Sequence, residues 1–490
     1  MKIVKSIAKS CIFLTILVIS LLIINHVLEA KYILKNTNWP TTSSYRQFYN
    51  MEKNSVDVLF LGSSVTVNAF IPQEIYNNFG IRSYNLGSEQ QSIFLSYYWL
   101  KEALRFQKPK VVVLDAKFMV NNHPEEVINT TEGLARKCLD PMKWSGVKAE
   151  AVHNLCQLDE SQSELSYYLT NIRYHARWTE LQEYDFESDL VDKSPLKGYA
   201  PIKSLGPNSY TTYEKKDSNA RAKFVPLMQE YLDKTVKLCK ENNIKFILVD
   251  LPGNTMNDGI NNTHEEYAKN MGIDYYNICR TDYYNQIGAK LPEESIIGHN
   301  NIWGAIKTSR FFGAMLQSTY GLPPTHDEQY ETTKADYEQT KKCANLLRIG
   351  DQSEYLQALD NNRFAVFMTA HGDCSSILRR HDIKSGLKKL GLKCSYNRSP
   401  WKSYMAAIIE GNVVKEQASR EPLSFNSNFR DGRSVYSLQS SGKDLFASSS
   451  MLIEGEEQSR GINGLNILVY DLDTCKPVDK VTFQGKSVIH

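Results

Sequence analysis

Short unbroken apolar runs alternate with longer stretches of helical spacing from about residue 56 to residue 322. Residues 56–61 (VDVLFL) run into Gly62, 110–114 (KVVVL) are closed by Asp115, and 245–249 (KFILV) repeat the pattern. Runs this short, rich in β-branched residues and without a polar face, predict strands buried on both sides of a sheet. Residues 92–106, 224–242 and 303–316 carry amphipathic spacing and predict helices. This order predicts an α/β fold, a three-layer α/β/α domain whose mainly parallel sheet is joined by right-handed crossovers. Between about 125 and 218 the pattern gives way to Tyr-, Asn- and Ser-rich sequence, which predicts an irregular insertion over one end of the sheet.

Two prolines in 321–325 (GLPPT) stop the last helix and predict a domain boundary there. Beyond it come one charged helical stretch, 327–347, and strand-like runs at 364–369, 383–390, 405–409, 434–439, 465–470 and 478–483. They predict a smaller α+β or β-rich domain over 326–490.

The first 30 residues read differently. An apolar stretch from Cys11 to Ile24 continues to Leu28 and follows Lys2, Lys5 and Lys9. A bilayer-spanning helix needs about 20 such residues, so the stretch is long enough if Ile7 and Ala8 contribute. It is either an uncleaved anchor or a signal peptide. The Leu28-Glu29-Ala30 end lacks the small residues a cleavage site prefers, which favours the anchor. Either way the lysines stay inside, and 31–325 and 326–490 are expected outside the cytoplasm.

Composition narrows the partners. With 42% apolar and 23% charged residues the chain is globular, and a net charge of +2 over 490 residues is not that of a nucleic-acid-binding surface. None of the nine cysteines forms a C-x-x-C pair, so zinc-ribbon and thioredoxin spacings are absent. Eight lie outside the apolar stretch, either as disulfides or as scattered buried thiols. No P-loop, dinucleotide fingerprint or metal cluster is legible, and no cofactor is expected. Asn129-Thr130-Thr131 and Asn261-Asn262-Thr263 have the form of glycosylation sequons.

Candidate chemistry lies at the ends of the predicted strands. VLFLGSS places Ser63 and Ser64 just past a strand's carboxyl end, where open α/β sheets bind ligands. A serine there is also an ordinary helix cap. His299 stands immediately before the last predicted helix, in HNNIWGAIK. A serine hydroxyl needs a base to remove its proton, and histidine serves near neutral pH.

These segments resemble those of SGNH (GDSL-like) hydrolases. VLFLGSS is similar to the family's first segment, with Ser64 at the nucleophile position and Ser63 in place of the usual Asp. SYNLGSEQQS, residues 83–92, resembles the second, whose glycine gives an oxyanion-hole N–H and corresponds to Gly87. HNNIWGAIKTSRFFG resembles the last segment of the membrane-associated bacterial members, with His299 at the base position. The resemblance implies a serine esterase or O-acyltransferase with Ser64 and His299 catalytic and the Ser64 and Gly87 amides holding the oxyanion. It implies acyl, chiefly acetyl, esters of a cell-surface or extracellular polysaccharide as substrate. Two positions depart from the pattern. Ile296 stands where the family's acid would precede His299, and Asp115-Ala116-Lys117 lacks the family's oxyanion-binding Asn. A non-catalytic glycan-binding or assembly protein is therefore the alternative. In the C-terminal part, 364–369, Asp373, 387–393 (LKKLGLK), 403–411 and 460–483 resemble ILEI/PANDER-type domains of FAM3-like proteins, which implies that fold and carbohydrate binding as one of its uses.

Overall fold

The computed structural model describes residues 2–30, 42–120, 132–186, 196–205, 212–291, 293–296, 298–393, 403–442 and 447–490. The chain divides into two compact units, 1–334 and 335–490. The division falls beyond the GLPPT segment because Tyr330 still belongs to the first unit. Its ring packs at a tilt against Tyr76, and its hydroxyl donates to the Ser83 carbonyl at 2.8 Å.

The first unit is an α/β fold around five parallel strands, β1 (Val58–Leu61), β2 (Ser83–Asn85), β3 (Val111–Asp115), β4 (Lys245–Asp250) and β5 (Asp274–Asn277). Their order is β2-β1-β3-β4-β5, so the sheet is entirely parallel. Side chains of a strand alternate between faces. Leu59, Leu61, Val112, Leu114, Phe246 and Leu248 accordingly join one core with the helices Ile93–Ala103 and Pro226–Glu241. Val58, Phe60, Val111, Val113, Ile247 and Val249 join the opposite core with the helices Ser64–Ala69 and Ile302–Ser318. Two buried faces are what made these runs continuously apolar in the sequence.

The insertion differs from its irregular expectation. Its described part forms the helices Glu132–Leu139 and Gly146–Leu158, followed by short helical turns from Glu164 to Phe186. Trp99 donates to the Cys138 carbonyl at 3.0 Å, which ties the insertion to the core.

The N-terminal helix is Lys2–Leu28, and its span Ser6–Leu28 is long and apolar enough to cross a membrane, with none of it buried in the protein. At 1.5 Å per residue, 23 residues cover about 34 Å, against about 30 Å of hydrocarbon.

The second unit is β-rich. Ten strands, β8 (Phe364–His371) to β17 (Ser487–Ile489), form one sheet, which is antiparallel apart from a single parallel bridge between β8 and β12 (Ser434–Ser441). Residues 383–390, expected as a strand, lie mostly within the helix His381–Lys389, whose Ile383 and Leu387 pack one turn apart into the core.

All eight described cysteines are free thiols, and Cys138, Cys156, Cys239, Cys279, Cys343 and Cys374 are buried. Cys394 and Asn129 lie outside the described residues. Asn261 is fully buried inside the helix Asp258–Met271, where its Oδ1 accepts from Asn277, so the folded chain cannot present that sequon for glycosylation.

Candidate active site

The strand order places β2 on one side of β1 and β3 on the other, so the direction of winding reverses between β1 and β3. A crevice opens at such a point beyond the strands' carboxyl ends. Gly62 lets the chain leave β1 there with a φ of 139°. An added Cβ would come within 2.5 Å of both Asp115 Cβ and Thr66 Oγ1, so only glycine brings the turn this close to the end of β3. Ser63 then occupies the N-cap, and Ser64 begins the helix Ser64–Ala69.

The two serines have different partners. Ser63 Oγ donates to Asp115 Oδ2 at 2.8 Å instead of capping the helix. Ser64 Oγ lies 2.9 Å from His299 Nε2. With the ring proton on Nδ1, the serine hydroxyl donates to Nε2, the arrangement that lets a histidine take a serine proton. The Ser64 amide has no hydrogen-bond acceptor among the described residues and points from a helix start, where the backbone dipoles favour negative charge.

His299 is carried by a hairpin. Strand β6 (Ser295–Ile296) pairs with β7 (His299–Asn300), and Ile296 lies directly opposite His299. The rest of HNNIWGAIK holds this hairpin in place. Asn301 caps the following helix by accepting from the Gly304 amide, and its Nδ2 donates to the Glu293 carbonyl at 2.7 Å. A Cβ on Gly304 would lie 2.3 Å from the Glu294 carbonyl oxygen. Lys307 pairs with Glu294 at 2.7 Å, and the Lys290 amide donates to the same carboxylate. Glu294, one of the two nearby acids in sequence, is thus committed to the hairpin's base.

The Gly87 amide donates to Asn85 Oδ1 at 3.0 Å, so in this conformation it is already occupied. Space around it is tight, with Gly62 O, Val67 and Asn85 all within 3.1 Å of where a Cβ would stand.

Beneath the serines lies a buried polar chain that sequence reasoning missed. Asn254 Nδ2 donates to Asp115 Oδ1 at 3.0 Å and to Asp250 Oδ1 at 2.9 Å. Asp250 Oδ2 meets His264 Nδ1 at 2.7 Å and accepts from the Tyr275 hydroxyl at 2.6 Å. Burial raises the Asp115 pKa above the ordinary aspartate value, outweighing its donors Asn254 and Ser63 and the charge of Lys117. Burial opposes charge on Asp250 as well, but His264, Tyr275 and Asn254 together overcome it and hold its pKa low. Burial also lowers the pKa of Lys117, two residues beyond Asp115.

A cavity of about 750 Å³ adjoins the hairpin, lined by Tyr213, Lys216, Asn254 and Asp258 among others. Gly253 and Gly298 form the contact between cavity wall and hairpin. Their backbones cross so closely that a Cβ on Gly253 would fall 1.6 Å from Gly298 O. Among the described residues no group of three or more His, Cys, Asp or Glu could hold a metal ion.

No family model and no curated protein matches the chain. Among solved structures, it is similar to a GDSL-like lipase from Bacteroides thetaiotaomicron, with 12% identity, 57% of this chain and 98% of that chain covered, and a TM-score of 0.26. Likeness at that level carries no chemistry across, so what the site can do follows from its own geometry.

Proposed function

We propose that the chain is a membrane-anchored, extracytoplasmic serine esterase or O-acyltransferase of the SGNH type. Its substrates are acyl esters, acetyl above all, on a cell-surface or extracellular glycan. The observation that carries this reading is the 2.9 Å contact between Ser64 Oγ and His299 Nε2 at the crevice of a parallel sheet. Ser64 Oγ attacks the ester carbonyl as His299 Nε2 takes its proton, and the departing sugar hydroxyl receives that proton. Water in an esterase, or another sugar hydroxyl in a transferase, then attacks the acyl-serine, His299 again moving the proton. The Ser64 amide holds the oxyanion, and Gly87 joins it once its amide leaves Asn85.

A fluorophosphonate probe tests this directly. The full chain is expected to form an adduct at Ser64. Both Ser64→Ala and His299→Ala should abolish labelling and lower ester turnover by about 10³-fold or more. Wild-type protein with neither adduct nor turnover would sink the enzyme reading.

The glycan partner is supported by the resemblance of the second unit to ILEI/PANDER-type domains. A glycan array probed with the full chain should show binding to acylated polysaccharide, and silence would count against it.

Ile296 opposite His299 and the occupied Gly87 amide favour a second reading, a non-catalytic glycan-binding or assembly protein. It expects array binding that survives Ser64→Ala and no adduct in the wild type.

A further inference from the structure

Soluble protein surfaces rarely gather large apolar side chains into one exposed patch. The segment from Glu164 to Phe186 does so: Tyr168, Leu169 and Ile172 are exposed, Trp178 is 69% exposed and Phe186 65%. Trp144, half exposed, stacks on Tyr168 with ring centroids 4.8 Å apart.

This patch sits at the end of the apolar N-terminal helix. The last carbonyls of a helix have no partner within it. Here Arg177 supplies one, its Nη1 donating to the Leu28 and Glu29 carbonyls at 2.9 and 2.5 Å, while its Nη2 is held by Asp185 at 2.8 Å. One turn earlier, the Asn171 amide donates to Asn25 Oδ1 at 2.9 Å. The patch is therefore pinned at the level where an apolar span of Ser6–Leu28 ends. It is also fixed to the body of the unit. Arg136 lies 4.0 Å above the Tyr167 ring and donates to the Ser166 carbonyl, and the Tyr174 hydroxyl donates to Asp140 at 2.6 Å.

We propose that this segment, with Trp144, is an interfacial apron lying in the lipid headgroup region around the base of the anchor. The inference rests on the reading of the first helix as a membrane span. Its argument is continuity: a surface bonded to the last turn of a spanning helix stands at the bilayer–water boundary, and Trp and Tyr are the side chains that partition there. The apron immerses its Leu, Ile, Phe and Trp side chains at the acyl boundary. Because Arg136 and Tyr174 tie it to the core, it holds the first unit at a set orientation to the membrane instead of leaving it on a loose tether.

The test uses the full chain in phosphatidylcholine vesicles that carry a nitroxide either near the headgroup or deep in the acyl chain. Emission from Trp144 and Trp178 is isolated as the difference between wild type and the Trp144→Phe, Trp178→Phe double variant. The headgroup nitroxide is expected to quench this component about two-fold or more, and more strongly than the deep one. In parallel, a membrane-impermeant maleimide reports on Cys11, which lies inside the span and outside the protein core. Cys11 protected with Trp144 and Trp178 unquenched overturns the apron and leaves the anchor standing. The same pattern with a disulfide forming between copies that carry Trp178→Cys would assign the patch to a second copy of the chain, and also overturns it. Cys11 modified in sealed vesicles removes the span, and the apron with it.

Discussion

Ser63 and Ser64 are chemically identical neighbours, and the polypeptide separates their work by where each hydroxyl finds a partner. Ser63 faces inward to Asp115, while Ser64 faces His299 across the crevice. Ser63→Ala removes a donor from a buried carboxyl, a loss of about 1–3 kcal/mol. It should lower the melting temperature while leaving the probe adduct on Ser64. A label that moved or vanished with Ser63 would reverse the assignment. Asp250 gives a prediction in pH. Its folded pKa lies below the ordinary 3.8, so the gain its partners give the charged carboxylate is present above 3.8 while His264 carries its proton, and is lost as pH falls through the lower folded value. The urea midpoint difference between wild type and Asp250→Asn should shrink as pH falls below about 4. At this scale Ser64 and His299 were legible because each sits in a local segment with its own signature. The Asp115–Asn254 contact was not, since it joins positions 139 residues apart that only adjacent strands bring together.

Among the elements, the hairpin 295–300 explains why a run of HNNIWGAIK type accompanies its histidine. Asn301, Gly304 and Lys307 each fasten the hairpin to the helix behind it. An alanine within a helix ordinarily gains about 0.5–1 kcal/mol over glycine. Gly304→Ala should instead destabilise, by about 1–3 kcal/mol, because its Cβ meets backbone at 2.3 Å. The hairpin must shift to admit it, so the rate of fluorophosphonate labelling should fall further than the stability loss explains. β1, β3 and β4 were readable because both faces are buried. β5, with the sequence DYYN, and the three-residue β2 were not, since an edge strand keeps polar side chains and a short one has no period to read. The short helical turns from Glu164 to Phe186 escaped notice because much of their apolar surface stays exposed, which blurs the one-sided stripe that marks a helix.

The whole molecule is built without disulfide bonds among its described residues. Burial pushes the Cys138, Cys239 and Cys374 thiols up to about 12 and Cys156 to about 11, so they stay protonated and unreactive near neutral pH. In a Cys394→Ala variant, which leaves only the described cysteines, the melting temperature should accordingly be the same with and without a thiol reductant. A drop on reduction would reveal a bridge that this arrangement does not contain.

Where Gly253 crosses Gly298, the wall of the cavity and the support of the histidine are one joint. There is no compressible side chain between them to absorb a displacement. A displacement of that wall at Gly253 would meet Gly298, the residue that immediately precedes His299. The cavity and the histidine therefore share one rigid boundary, with no side chain on either glycine to part them.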